Sequence, residues 1–110
     1  MTMPAGPKVR DLSPEEVARG MTEGRILLVD VLEPNEVEVE RYPEAAYMPM
    51  SEFDPAALPD PGGRQVVFAC RSGQRSAIAA QIAQDSGLPY EAHLAGGLKA
   101  WKAAGLPTES

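Results

Sequence analysis

The chain has 110 residues, 44% of them hydrophobic and 24% charged, with a formal net charge of -6 at pH 7 and a single cysteine. That length holds one domain with a real core, and a lone cysteine excludes both an internal disulfide and a cysteine-cluster metal site. The acidic balance argues against nonspecific binding to nucleic acid or anionic lipid. No apolar run approaches the ~20 residues of a membrane span, so neither a nucleic-acid nor a membrane partner is expected. Residues 1–7, Met-Thr-Met-Pro-Ala-Gly-Pro, lack the charged and apolar regions of a secretory signal and read as a flexible N-terminal segment. A free thiol that serves chemistry fits a reducing compartment, which makes the expected location cytoplasmic.

Lys8-Val9-Arg10 reads as a short edge strand. The next segment carries a set of helix-start signals: Ser13 to cap, Pro14 for the first turn, Glu16 to close a capping box, and Leu12 and Val17 to staple. That helix is predicted to run to about Met21. After a turn at Glu23-Gly24, Ile26-Leu27-Leu28-Val29-Asp30-Val31 is a continuous apolar run of strand length, as expected of a parallel strand buried on both faces. Asp30 falls at its carboxyl end, the edge along which open α/β sheets place ligand sites. A carboxylate there could orient loop backbone or act as a base; the plainer reading is an Asp that ends the strand and fixes the next loop. The acidic residues Glu33, Glu36, Glu38, Glu40 and Glu44, interleaved with Val37 and Val39, read as one solvated face rather than a metal site. Ser51 to Leu58 gives a short helix or turn, and Pro59-Asp60-Pro61-Gly62-Gly63 a loop.

The chain is organised around Val66-Val67-Phe68-Ala69-Cys70-Arg71-Ser72-Gly73-Gln74-Arg75-Ser76. An apolar strand runs into Cys70, a short polar loop follows, and a helical pattern begins. Backbone N–H groups of such a loop and first helical turn can converge on one spot, and Arg71 and Arg75 add positive charge. A thiol placed there ionises easily, since cysteines at helix N-termini or beside cations have pKa values of about 3.5 to 7.5. A lone cysteine is more often a small buried hydrophobe, but the polar residues that follow Cys70 put its sulfur at the mouth of the strand.

From Ser76 to Ser86, Ile78, Ala79, Ile82 and Ala83 recur at helical spacing, and Gly87 with Pro89 stops the helix. About eleven residues make roughly 16 Å of helix, enough for its dipole to act on Cys70. Tyr90-Glu91-Ala92-His93-Leu94 is the last predicted strand. His93 invites a pairing with Cys70, yet a position near a strand end does not establish that it faces the thiol. It reads as a satisfied or partly exposed histidine. Gly96-Gly97-Leu98-Lys99-Ala100-Trp101 opens a closing helix, with Trp101 a core anchor, and Gly105-Leu106-Pro107 ends it.

The loop Cys70-Arg71-Ser72-Gly73-Gln74-Arg75-Ser76 closely resembles the active-site loop of single-domain rhodaneses, which carry a persulfide on cysteine. Asp30-Val31-Leu32-Glu33-Pro34-Asn35-Glu36 is similar to the family's Asp-Val-Arg-x-x-x-Glu segment, with Leu32 at the arginine. Arg41-Tyr42-Pro43-Glu44-Ala45 is similar to its Gly-His-Ile-Pro-Gly-Ala turn, with Arg41 at the histidine and Glu44 at the second glycine. The Gly-Gly-x-x-x-Trp end resembles the family too. The resemblance covers residues 8–107, leaving 108–110 as a C-terminal tail. It implies an α/β fold with a five-stranded parallel sheet flanked by helices on both faces. It further implies Cys70 as sulfur carrier, Arg71, Ser72, Gly73, Gln74, Arg75 and Ser76 as the anion cradle, and Arg71 and Arg75 as aids to binding a donor such as thiosulfate. Loss of the arginine at Leu32 takes a charge partner from Glu36.

The implied activity is a thiosulfate sulfurtransferase, with a small-molecule sulfur donor and acceptor, a protein as a further candidate donor or acceptor, and neither metal nor organic cofactor. Two alternatives stand beside it. One is a phosphatase or arsenate reductase on the same cysteine loop; related phosphatase loops have five residues between cysteine and arginine, whereas Arg71 to Gln74 makes four here. The other is a sulfur-delivery or interaction module without turnover, whose acidic surface steers a basic partner.

Overall fold

The computed structural model describes residues 9–110; the N-terminal segment 1–7 and Lys8 lie outside the described residues. The elements are β1 (Arg10–Leu12), α1 (Pro14–Thr22), β2 (Ile26–Asp30), α2 (Pro34–Val37), β3 (Ala46–Tyr47), β4 (Gln65–Ala69), α3 (Gln74–Asp85), β5 (Ala92–Leu94) and α4 (Gly97–Ala103), with two 3-10 turns between β3 and β4. The five strands form one sheet in the order β1-β5-β4-β2-β3, and every pair in it is parallel. The α/β sheet expected from the sequence is therefore the fold.

Local chemistry explains the elements. Ser13 Oγ accepts from the Glu16 amide and Glu16 Oε1 accepts from the Ser13 amide, both at 3.1 Å, so α1 starts with the capping box that the sequence spells out. All five residues of β2 are buried, as a central parallel strand requires. Alternation along the strands divides the core. Leu28, Leu32, Val67, Ala69 and Leu94 pack with Val17, Leu98 and Trp101 on the α1/α4 face. Val29, Val31, Phe68 and Cys70 pack with Ala79, Ala80 and Ala83 on the α3 face. Thus β4, the middle strand, delivers Ala69 and Cys70 to opposite faces.

Boundaries shift where side-chain pattern alone is ambiguous. The first strand pairs two residues later than expected, β5 pairs only over Ala92–Leu94, and α3 starts two residues before Ser76. The Glu/Val stretch after Glu33, expected as one solvated face, is so only in part, since Glu38 and Val39 are exposed but Glu36 and Glu40 half-buried. It is the single turn of α2 followed by further turns, in which Glu36 pairs with Arg75 and Glu40 with Lys102, and Val39 is left 70% exposed. The end of the chain is tied down: Thr108 Oγ1 donates to Glu40 at 2.6 Å, and Arg41 and Glu109 exchange backbone hydrogen bonds.

Glu44 is the one described non-glycine residue at positive φ, 58°. A Cβ there costs about 1–2 kcal/mol, which is why the resembling turn carries glycine at this place. Replacing Glu44 with Gly is expected to stabilise the fold by about 1 kcal/mol, roughly 5 °C in Tm, as read by thermal denaturation.

Candidate active site

The site forms where β4 stops. Gly73, at φ 98°, turns the chain into α3 as its N-cap. The first turn of a helix has N–H groups with no partner inside the helix, and here they find the sulfur. Cys70 Sγ accepts from the Gly73 amide at 3.1 Å and from the Ser76 amide at 3.3 Å, with Ser76 Oγ at 3.5 Å. Burial pushes the Cys70 thiol up, but the bonds from the Ser76 hydroxyl and from the Ser76, Gly73 and Ser72 amides outweigh it. The thiol ends below the ordinary cysteine range.

Two features differ from the sequence reading. Cys70 does not sit open at the strand's mouth: it is 0% exposed and shares the apolar cluster of the α3 face. The cradle closes over the sulfur because the amides that bind it belong to a loop of only a few residues. Within that loop Arg71, Ser72 and Gln74 are exposed and Gly73 and Arg75 half-buried; the amides bound to sulfur include those of Gly73 and Ser76. Arg75, second, is not a free cation awaiting a donor. Its two terminal nitrogens hold Glu36 Oε1 and Oε2 at 2.6 and 2.8 Å, and this bidentate bond draws Glu36 below the usual carboxylate range. Glu36 therefore keeps a charge partner although Leu32 stands where an arginine was expected, and Leu32 itself is fully buried core.

Asp30 is placed on the other side of the sheet. It pairs in register with Ala69, one residue before Cys70, so its carboxylate shares a face with Ala69 and not with the sulfur. Asp30 Oδ1 accepts from the Leu32 amide at 2.8 Å. Burial pushes its carboxyl up to about 6 against the lowering bonds from the Leu32 and Tyr42 amides. Asp30 thus fixes the next loop from the face opposite the Cys70 sulfur.

Several supporting groups carry no sequence signal of their own. Tyr42 Oη donates to the Cys70 carbonyl at 2.5 Å; burial, then the neighbouring Cys70 and Asp30 charges, push this phenol up, so it stays a donor. Its ring meets Trp101 edge-on at 5.5 Å. The amides of Leu98 and Lys99 at the start of α4 bind the carbonyls of Cys70 and Arg71. Gly97 permits that approach, since a Cβ there would lie 2.5 Å from the Arg71 carbonyl carbon. The pair Gly96-Gly97 was legible as a helix start, but not as a clamp on the cysteine loop. His93, read as satisfied or partly exposed, is buried, with Nδ1 2.8 Å from Ser76 Oγ. Among the described residues no cluster of three or more His, Cys, Asp or Glu side chains is arranged to hold a metal, and no helix is long and apolar enough to cross a membrane.

A parallel α/β sheet whose middle strand presents a cysteine to the first turn of the next helix defines a class of cysteine-loop domains. The Rhodanese-like domain family model matches residues 13–104, and the chain belongs to that family. An uncharacterized protein of Synechocystis is 38% identical over 97 residues, covering 88% of this chain and 54% of its own. The chain thus spans about half the length of that relative. A sulfurtransferase of Allochromatium vinosum is 32% identical over 100 residues, covering 90% and 94%. Among solved structures, a Rhodopseudomonas palustris protein described as a possible tyrosine phosphatase is 31% identical with a TM-score of 0.77, over 92% of this chain and 85% of that one. Thiosulfate sulfurtransferase from Pseudomonas aeruginosa is 29% identical with a TM-score of 0.75, over 99% and 21%.

Two outcomes are expected. Gly97→Ala must push the cysteine loop away from α4, at a cost of roughly 2 kcal/mol or more, seen as a lower urea midpoint and slower alkylation of Cys70. Asp30 binds its proton more tightly folded than unfolded, so its contribution is fully present below ~4 and is lost as pH rises through about 6. Asp30→Asn should therefore be more stable than the parent at pH 7, by of order 2 kcal/mol. Urea denaturation should find that advantage gone near pH 4.

Proposed function

We propose that the protein is a sulfurtransferase that moves a sulfane sulfur from thiosulfate or a persulfide donor to a nucleophilic acceptor through a Cys70 persulfide. The observation that carries this reading is the convergence of the Gly73 and Ser76 amides on Cys70 Sγ. Donors already aimed at a sulfur anion need no reorganisation when charge develops there, and a thiolate is the reacting form.

The Cys70 thiolate attacks the outer sulfur of thiosulfate. The new S–S bond forms as the old one breaks, and sulfite leaves with the bonding electron pair. A second nucleophile (cyanide, a small thiol or a protein cysteine) then attacks the terminal sulfur, and the thiolate returns. The cradle residues Arg71, Ser72, Gly73, Gln74, Arg75 and Ser76 hold the charge in both states. Arg71, exposed and without an ion-pair partner among the described residues, is the cation best placed to meet an anionic donor, while Arg75 acts through its pairing with Glu36. Because Cys70 is closed off, the loop 71–73 opens to admit the donor. The likeness to the Allochromatium sulfurtransferase supports the same reaction class.

A phosphatase reading draws support from the Rhodopseudomonas structure, but the four residues between Cys70 and Arg75 make a ring better sized to one sulfur atom than to a tetrahedral phosphate. Intact-protein mass spectrometry after thiosulfate treatment tests the proposal. The parent should gain the mass of one sulfur atom that cyanide removes, and Cys70→Ser should gain none at an unchanged Tm. Sulfur loading of the serine variant, or turnover of an aryl phosphate without sulfur loading of the parent, overturns it.

A further inference from the structure

Behind the thiol, away from the exposed loop, three more side chains continue the line of hydrogen bonds. Cys70 Sγ lies 3.5 Å from Ser76 Oγ, Ser76 Oγ lies 2.8 Å from His93 Nδ1, and His93 Nε2 lies 2.7 Å from Asp11 Oδ1. Four elements contribute: the end of β4, α3, β5 and β1. The register explains the alignment, because Asp11 and Phe68 are the strand partners of His93 and all three project to the α3 face. Ser76 and His93 are buried, and the Asp11 side chain is 72% exposed. The chain contains one cysteine and one histidine, and the fold places them at the two sides of a single hydroxyl.

Proton counting fixes what this line can do. A carboxylate only accepts, so Nε2 carries a proton and donates it to Asp11, which leaves Nδ1 of a neutral imidazole as an acceptor. The Ser76 hydroxyl then gives its one proton to Nδ1 and can only accept from the Cys70 thiol. With a second proton on the ring the Asp11 bond keeps its direction and the two bonds on the sulfur side reverse: Nδ1–H donates to Ser76 Oγ, and the Ser76 hydroxyl donates to a Cys70 thiolate. The two arrangements carry the same total charge and differ by a concerted shift.

We propose that Ser76 and His93, held by Asp11, take the thiol proton of Cys70 and store it as an imidazolium while the sulfur reacts. The S–H bond breaks and leaves its electron pair on sulfur; that proton joins Ser76 Oγ as the former Ser76 proton passes to Nδ1. No oxidant or further reactant takes part. Ser76 touches the reacting atom, whereas His93 and Asp11 are positioning residues that act through it. The titratable and charged groups around this unit are few. His93 faces Asp11 from β1, Ser76 from α3 and apolar Phe68 from β4. Around Cys70 the other ionisable or charged neighbours include exposed Arg71, next in the chain and a cation that accepts no proton, Tyr42, a phenol that donates to its carbonyl, and Arg75, whose charge is met by Glu36. Neither Tyr42 nor Arg75 can take the thiol proton.

The inference rests on Cys70 being the reacting group, but it is tested without any sulfur donor, so its failure and a failure of sulfur loading are told apart. The first readout is the pH dependence of Cys70 alkylation by iodoacetamide. His93→Gln is expected to slow alkylation at pH 7 roughly tenfold by moving the profile upward by about one pH unit. Asp11→Asn, altering an exposed side chain that the fold tolerates, should shift it in the same direction by less. The second readout is the nitrogen NMR spectrum of the single histidine. It should report an imidazolium while Cys70 is a thiolate and a neutral ring once Cys70 is alkylated. Overlapping alkylation profiles for parent and Asp11→Asn, or a histidine spectrum blind to alkylation, overturns the inference even where His93→Gln does not fold.

Discussion

A cysteine sulfur bound by amide hydrogens inside an apolar layer is the constraint on which the rest of the molecule depends. Burying a charge is costly unless it is hydrogen-bonded, and Cys70 is fully buried. The cost is met by the unpaired N–H groups of α3, which lie where a strand-to-helix turn through a left-handed glycine puts them. Holding that turn takes the α4 amides on the Cys70 and Arg71 carbonyls and the Tyr42 phenol on the first of these. The carbonyls of Cys70 and Arg71 are thus gripped from α4 while the amides of Gly73 and Ser76 turn to sulfur. Gly97 permits that grip, and the edge-on contact with Trp101 packs the Tyr42 ring.

The departures from the family pattern are absorbed locally. Where Leu32 stands in place of an arginine, it fills core space, and Glu36 takes its partner from α3 instead. Arg41, at the expected histidine, reaches Glu109 and joins the end of the chain to the domain. Glu44 occupies a glycine conformation at some cost. None of the three touches the bonds that hold the Cys70 sulfur, which is consistent with the site tolerating variation in the loops after β2.

Strand alternation sends two carboxylates, Asp30 and Asp11, to opposite faces of the sheet. Asp30 lies at the carboxyl edge, beside β4, yet one residue of register sends it to the face opposite Cys70, where it organises backbone. Asp11 lies far from Cys70 in sequence and gave no signal, yet two steps of parallel pairing bring it and His93 into line with Ser76. A tuned thiol on one face and a loop anchor on the other follow from the same period of two.

What the sequence determined by itself is whatever depends on neighbours along the chain. The capping box at Ser13, the buried run of β2, the strand-loop-helix turn at Cys70 and the glycine stops are local, and they suffice for a parallel α/β sheet with a cysteine at a helix start. Tertiary structure decided what depends on pairing between distant segments. That includes the closure of the loop over the sulfur, the claim of Glu36 on Arg75, the Tyr42 bond to the Cys70 carbonyl, and the line from Asp11 through His93 to Ser76. Strand order and register set those contacts, and hydrophobic pattern alone specifies neither which strands adjoin nor which residues stand opposite.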